Sequence, residues 1–392
     1  MPDNAVRSCL KDLELGTGRT VAVAIGKAAW SMMDAAAQEL GDRLSRGVLI
    51  TKYDHSRGPL ERVQIVEAGH PVPDENSLRG ADMAVEAVSG LSREDTVLVL
   101  LSGGGSSLFE KSSLSLEELR DINRQMLACG ASIQEINTIR KRLSQVKGGR
   151  FAELCAPARV VTVMLSDIIG DQLDMIASGP TCADTSTTQQ ALEIVERYHL
   201  RLSQEALACL SRETPKNLDR VSFHVCGSVR QLCCAAEEAC RSLGYETEIL
   251  TDCLTCEARE AGVFLADIAR FHREKRKKAA FIVGGETVVR LTGQGLGGRN
   301  QELALAAAPG IAGLADIAVF SVGSDGTDGP TDAAGGYVDW ATEEDLRSQG
   351  ICIPDVLYRN DSYHALERCG GLICTGATGT NVNDLAVVLL GD

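Results

Sequence analysis

Four glycine- and aspartate-rich segments, far apart along the 392 residues, carry the residue types that phosphoryl transfer requires. They are 101–108 (LSGGGSSL), 166–181 (SDIIGDQLDMIASGPT), 295–302 (GLGGRNQE) and 323–336 (GSDGTDGPTDAAGG). Glycine lets backbone N–H groups approach an anion unobstructed, and a helix that follows adds the positive end of its dipole. Aspartate in such loops either holds a divalent cation that bridges phosphate or takes the proton of an attacking hydroxyl. Together these features point to a kinase.

Individual residues sharpen that expectation. Lys27 follows the buried run 21–25 at a strand-to-helix turn, which would aim it at the carboxyl edge of a sheet, where ligands of open α/β sheets bind. A cation at a helix N-terminus is mildly unfavourable, so its presence argues for an anionic ligand. Gly103, Gly104 and Gly105 with Ser106 and Ser107 form the expected nucleotide- or phosphate-binding loop, although no Lys-Ser/Thr follows at Walker A spacing. A tight turn needed for close strand–helix packing is the alternative. Asp167, Asp171 and Asp174 crowd within eight residues at the end of another apolar run. Asp167, nearest that end, is the expected general base and Asp171 a metal ligand, with helix capping the rival role for Asp171 and Asp174.

Arg299 follows Gly297-Gly298 where a helix should open, suiting bidentate contact with phosphate or carboxylate. Asn300 beside it, His70 in GHPVP and Lys147 in the basic stretch 140–150 are expected to contact substrate. Asp325 and Asp328 are expected to hold Mg²⁺, against a plain Asp-Gly turn. The run Arg140-Lys141-Arg142 reads either as a solvated helix face or as a border to an anion site.

These loops need a scaffold. Apolar runs at 21–25, 47–51, 63–68, 96–102 and 159–165 alternate with helical periodicity, which implies a parallel sheet. The same alternation resumes at 223–226, 247–250, 279–283 and 317–321, with a last strand at 372–375. The expected architecture is α/β, two Rossmann-like domains facing across an interdomain cleft. Residues 1–215 form one and 216–392 the other, divided in the polar stretch around Pro215. A net charge of −15 speaks against nucleic-acid and anionic-membrane surfaces, and no apolar run is long enough to span a bilayer. Fourteen scattered cysteines read as reduced thiols of a cytoplasmic protein, and Cys253-x-x-Cys256 lacks the second ligand pair of a zinc site. Monomer and homodimer both stay open.

At these loops the chain resembles the glycerate 2-kinase family, the two-domain type with a C-terminal MOFRL domain. The resemblance rests on 26–30 (GKAAW), 67–75 (EAGHPVPDE), 101–106 (LSGGGS), 139–150 (IRKRLSQVKGGR), 166–181, 298–303 (GRNQEL), 324–335 (SDGTDGPTDAAG) and 378–385 (TGTNVNDL). It implies ATP- and Mg²⁺-dependent phosphorylation of D-glycerate at its 2-hydroxyl, with Lys27, Asp167 and Arg299 as the functional trio. Arg142 stands where the family more often has His, and Ala377 where Pro is common. Two rivals are a hydroxypyruvate reductase, which would need a G-x-G-x-x-G turn where this chain has Gly26-Lys27-Ala28-Ala29, and a non-catalytic sensor of a phosphorylated metabolite.

Overall fold

The structure, a computed structural model, describes residues 2–11, 13, 15–166, 173–276, 278–379 and 381–391. Asp167 and Asp171 lie outside the described residues. The described chain divides into two compact units, one ending at Cys226 and the other beginning at Gly227.

The first unit is built on six strands: β1 (Thr20–Ile25), β2 (Leu44–Lys52), β3 (Val63–Ala68), β4 (Thr96–Leu101), β5 (Arg159–Leu165) and β6 (Val221–Gly227). Their order is β3-β2-β1-β4-β5-β6, and β1 pairs in parallel with both β2 and β4. Every residue of β1 and β4 is buried, which is why both read as unbroken apolar runs. The chain winds away in opposite directions from the β1–β4 boundary, and that reversal opens a crevice at the strands' carboxyl ends. Helix Ala29–Leu40 packs Met32, Met33, Ala35 and Ala36 against this sheet. Helix Glu75–Ala87 begins with a reciprocal capping box between Asp74 and Ser77. A separate helical layer, Leu116–Ala128, Ile133–Leu143, Thr188–Arg197 and Gln204–Leu210, has its own core around Ile122, Met126, Leu143 and Ile194.

Strand β6 differs from the sequence-based expectation, which gave 223–226 to the second domain. After the polar stretch 211–218 the chain returns to the first sheet, where Val160 N donates to Arg220 O at 2.9 Å. That stretch is not a free linker either: Thr214 is buried and its hydroxyl donates to Asp184 at 2.8 Å.

The second unit comprises β7 (Glu246–Leu254), β8 (Ala279–Gly285), β9 (Ile317–Gly323), β10 (Gly335–Asp339), β11 (Leu372–Ile373) and β12 (Asp384–Leu390), in the order β11-β10-β9-β12-β8-β7. The α/β class holds, but the sheet is mixed: β7 and β8 are parallel, while β12 runs antiparallel to both β8 and β9. Strands β10 and β12 were absent from the expected elements. Helix Arg299–Ile311 is buried from Asn300 through Ala308 and crosses helix Ala258–Arg273 at close range. A Cβ on Gly262 would stand 2.2 Å from Leu303 O, so only glycine permits that crossing.

Candidate functional site

In the first unit, the loops after β1 and β4 are stitched together at the crevice. Ser102 N donates to Ile25 O at 2.9 Å, Lys27 N donates to Gly103 O at 2.9 Å, and Ser102 Oγ accepts from Ala28 N at 3.1 Å. Gly104 turns with φ of +88°, and a Cβ there would fall 3.0 Å from His70 Cδ2 and 3.3 Å from Lys27 Cε. Lys27, His70 and Gly104, expected from three separate motifs, therefore converge. Lys27 is exposed and has no counterion among the described residues. Burial pushes the His70 imidazole below its ordinary range, and the positive charges of Lys27, Lys52 and His55 push the same way, so it is neutral at pH 7.

The helix after the triple glycine is one turn, Gly105–Leu108, too short for a large dipole. What the loop offers instead is hydroxyls in fixed directions. Ser106 Oγ donates to Ser178 Oγ at 2.9 Å, which in turn donates to buried Asn137 at 2.9 Å, while Ser107 Oγ donates to Gly104 O at 3.2 Å. His70, Gly104, Ser106 and Ser107 line a cavity of about 550 Å³ together with Arg140 and Lys147.

Lys147 is 1% exposed and ion-paired with Glu110 at the cavity's wall. Burial pushes its ammonium down and the Glu110 carboxylate pushes it up, with burial prevailing. The expected direct substrate contact thus becomes a buried pair. Its neighbours also overturn the solvated-face reading. Lys141 bonds Asp174 at 2.8 Å and Asp184 at 3.2 Å, and Arg142 bonds Asp184 at 3.4 Å and Ser186 Oγ at 2.7 Å, both cations being almost fully buried. Asp174 is therefore an ion-pair partner rather than a helix cap. Sequence reasoning missed Glu110; its one signal was a lone carboxylate directly after Leu108 and Phe109.

In the second unit, Arg299 opens its helix with Nε 2.5 Å and Nη2 3.1 Å from the Asp384 carboxylate and Nη1 3.1 Å from Glu286. It borders a cavity of about 940 Å³ edged by the exposed side chains of Val288 and Leu291. Its two neighbours in the expectation play other parts. Asp328, 2% exposed, accepts from Asn300 N at 3.1 Å and Gln301 N at 2.8 Å, capping the helix from a remote loop. Burial pushes this carboxyl up to about 6 despite those bonds. Asn300 is 1% exposed, donating to Asp328 and accepting from Ser321 Oγ at 2.6 Å, so it supports the cap rather than facing a ligand. Asp325 Oδ1 accepts from Thr327 N at 3.0 Å in an Asx turn. Among the described residues no three His, Cys, Asp or Glu cluster as metal ligands.

Comparison with known proteins places this arrangement. Residues 1–211 match the family described as "Domain of unknown function (DUF4147)", and residues 279–384 match the MOFRL family. A D-glycerate 2-kinase of Thermotoga maritima is 50% identical over 395 residues, covering 99% of this chain and 94% of that protein. The chain belongs to the glycerate 2-kinase family. The crystal structure of a glycerate kinase from Thermotoga maritima superposes with a TM-score of 0.97 at 50% identity, covering 99% of this chain and 95% of that one. A putative hydroxypyruvate reductase of Agrobacterium vitis is 40% identical over 390 residues, covering 95% of this chain and 88% of that protein. Among the cations of these motifs, Lys27 is exposed with no counterion among the described residues, whereas Arg299, Lys141, Arg142 and Lys147 each bind carboxylates of their own unit.

Proposed function

We propose that the protein transfers the γ-phosphoryl group of ATP to the 2-hydroxyl of D-glycerate, giving 2-phosphoglycerate and ADP. The observation that carries this reading is the convergence of Lys27, His70 and the Gly104 loop on a cation-rich cavity at the β1–β4 crevice. The 2-hydroxyl oxygen attacks the γ-phosphorus, the bond to the bridging oxygen of ADP breaks, and the hydroxyl proton passes to a base. We assign the base to Asp167, the residue after Ser166 in sequence. Lys27, with no counterion among the described residues, neutralises charge on the moving phosphoryl group, and the Ser106–Ser107 loop orients its oxygens. Arg299, held by Asp384 and Glu286, is proposed as a further catalytic residue.

Magnesium enters bound to ATP, as part of the nucleotide substrate. The Asp325–Asp328 pair does not fit a resident magnesium site, because backbone N–H groups already occupy both Asp328 oxygens. None of the fourteen cysteines is disulfide-bonded, which suits a reducing cytoplasm, and no helix among the described residues is long and apolar enough to cross a membrane. Hydroxypyruvate reduction is the weaker reading: the turn after β1 lacks a dinucleotide glycine fingerprint.

Incubation with ATP, Mg²⁺ and D-glycerate, coupled to enolase with and without phosphoglycerate mutase, tests the reading. Signal without the mutase is expected. Signal only with it would mean phosphorylation of the 3-hydroxyl, and no ADP at all would remove the kinase assignment.

A further inference from the structure

The basic stretch 140–150 contains five cations, and four are spent inside the protein. Lys141 and Arg142 serve Asp174, Asp184 and Glu213, Lys147 serves Glu110, and Arg150 donates to the carbonyls of Lys141 and Ser144. Arg140 is different. Its Nε donates to Asn123 Oδ1 at 2.7 Å, which fixes the guanidinium plane, and no acceptor among the described residues takes up its two terminal nitrogens. It is half-buried and lines the cavity that holds His70, Ser106 and Ser107.

Glu110 favours the charged guanidinium of Arg140 through space, but no carboxylate among the described residues comes within ion-pair distance of it. Glu110, the one carboxylate among the lining residues, is bound by Lys147 and by Lys111 N at 3.0 Å. Arg120 gives Nε and Nη2 to Pro73 O, and Arg124 is an exposed partner of Asp121. A guanidinium partly withdrawn from water, held in one plane and left with two parallel donors is a carboxylate receptor in want of a carboxylate.

We propose that Arg140 binds the carboxylate of the acceptor substrate and thereby selects a short 2-hydroxy acid over an uncharged polyol. The proposal rests on the kinase reading for what is phosphorylated, but not for the anion itself. A phosphate of ATP shares the chemistry. The carboxylate is favoured by geometry and by occupancy: the two terminal nitrogens left by the Asn123 contact match the two oxygens of a carboxylate, while Lys27 and the Ser106–Ser107 loop are assigned to the phosphoryl group.

Steady-state kinetics on Arg140→Gln and Arg140→Lys, varying D-glycerate and ATP in turn, decide it. In Arg140→Gln the KM for D-glycerate should rise roughly 10- to 100-fold while that for ATP stays within about twofold. Arg140→Lys should recover only part of the loss, because a point charge does not replace the fork. Added guanidinium ion should partly rescue Arg140→Gln. Should Arg140→Gln fold poorly, Arg140→Lys and Asn123→Ala carry the same readout, both raising the KM for D-glycerate. A rise in the KM for ATP alone would make Arg140 a phosphate anchor and overturn the proposal, as would unchanged constants. Calorimetric binding of D-glycerate without ATP separates the two readings. Arg140-dependent binding in a protein that transfers no phosphoryl group would sink the kinase reading and keep this one. A working D-glycerate kinase indifferent to Arg140→Gln would do the reverse.

Discussion

Arg299 and Asp384 meet edge to edge, with Nε 2.5 Å from Oδ2 and Nη2 3.1 Å from Oδ1, so the first residue of β12 fixes the first residue of helix Arg299–Ile311. One edge of the guanidinium is thereby locked, and Nη1 is aimed at the more exposed Glu286. Asp384→Asn keeps the shape but removes the charge that orients this fork. We expect kcat to fall by roughly tenfold or more, about 1.4 kcal/mol of transition-state stabilisation, with a smaller effect from Glu286→Gln. Unchanged turnover in Asp384→Asn would show that Arg299 needs no such support.

Gly104→Ala should damage activity more than stability. Its φ of +88° makes any side chain strained, at roughly 1–3 kcal/mol, and the new methyl would press on His70 and Lys27. Gly130, with φ of +73° and nothing within 4 Å of its Cβ position, supplies the control. Gly130→Ala should lower the unfolding midpoint similarly yet leave turnover intact. Equal activity losses in both would mean that backbone strain, not the collision at Lys27, is responsible.

The contrast between these residues shows what the amino-acid order discloses. Lys27, Gly104 and His70 were legible because each lies just after a strand of the first sheet, and in a parallel sheet all such positions share one edge. Arg142 and Lys147 were not, because a charged helix face and a buried ion-pair network have the same local spacing. What separates them is acceptors 42 and 71 residues later for Arg142, and a carboxylate 37 residues earlier for Lys147. Asp328 and Asn300 were misread for a related reason. A Gly-rich turn favours aspartate whether it caps a helix or binds a cation, and the capped N–H groups lie 27 and 28 residues away. Strand direction in the second unit left no local trace either, since an apolar run such as that of β12 suits parallel and antiparallel neighbours alike.

Lys147→Met should be strongly destabilising, because it strands the Glu110 carboxylate in a nearly dry site, at about 3–5 kcal/mol. Lys147→Met combined with Glu110→Leu should regain most of that loss in urea unfolding. A direct substrate role for Lys147 predicts the opposite pattern: little change in stability for the single variant, and no recovery of activity in the double one.

Asp328 gives the fold a pH dependence whose sign can be worked out. Its carboxyl rises from an ordinary 3.8 to about 6 on burial, so between those values the folded chain keeps a proton that the unfolded chain has released. Folding is therefore aided by low pH within this window, and the contribution of this group is lost as pH rises through about 6. At about 1.4 kcal/mol per unit, the whole span amounts to about 3 kcal/mol. Asp328→Asn cannot titrate, so its unfolding free energy should lack this component while the remaining carboxylates behave as before. Comparing urea midpoints at pH 4.5 and 7.0, the wild type should lose more stability on going to pH 7.0, or gain less, than Asp328→Asn does. Equal changes in the two proteins would mean that the N–H groups of Asn300 and Gln301 hold Asp328 ionised across the range, outweighing its burial.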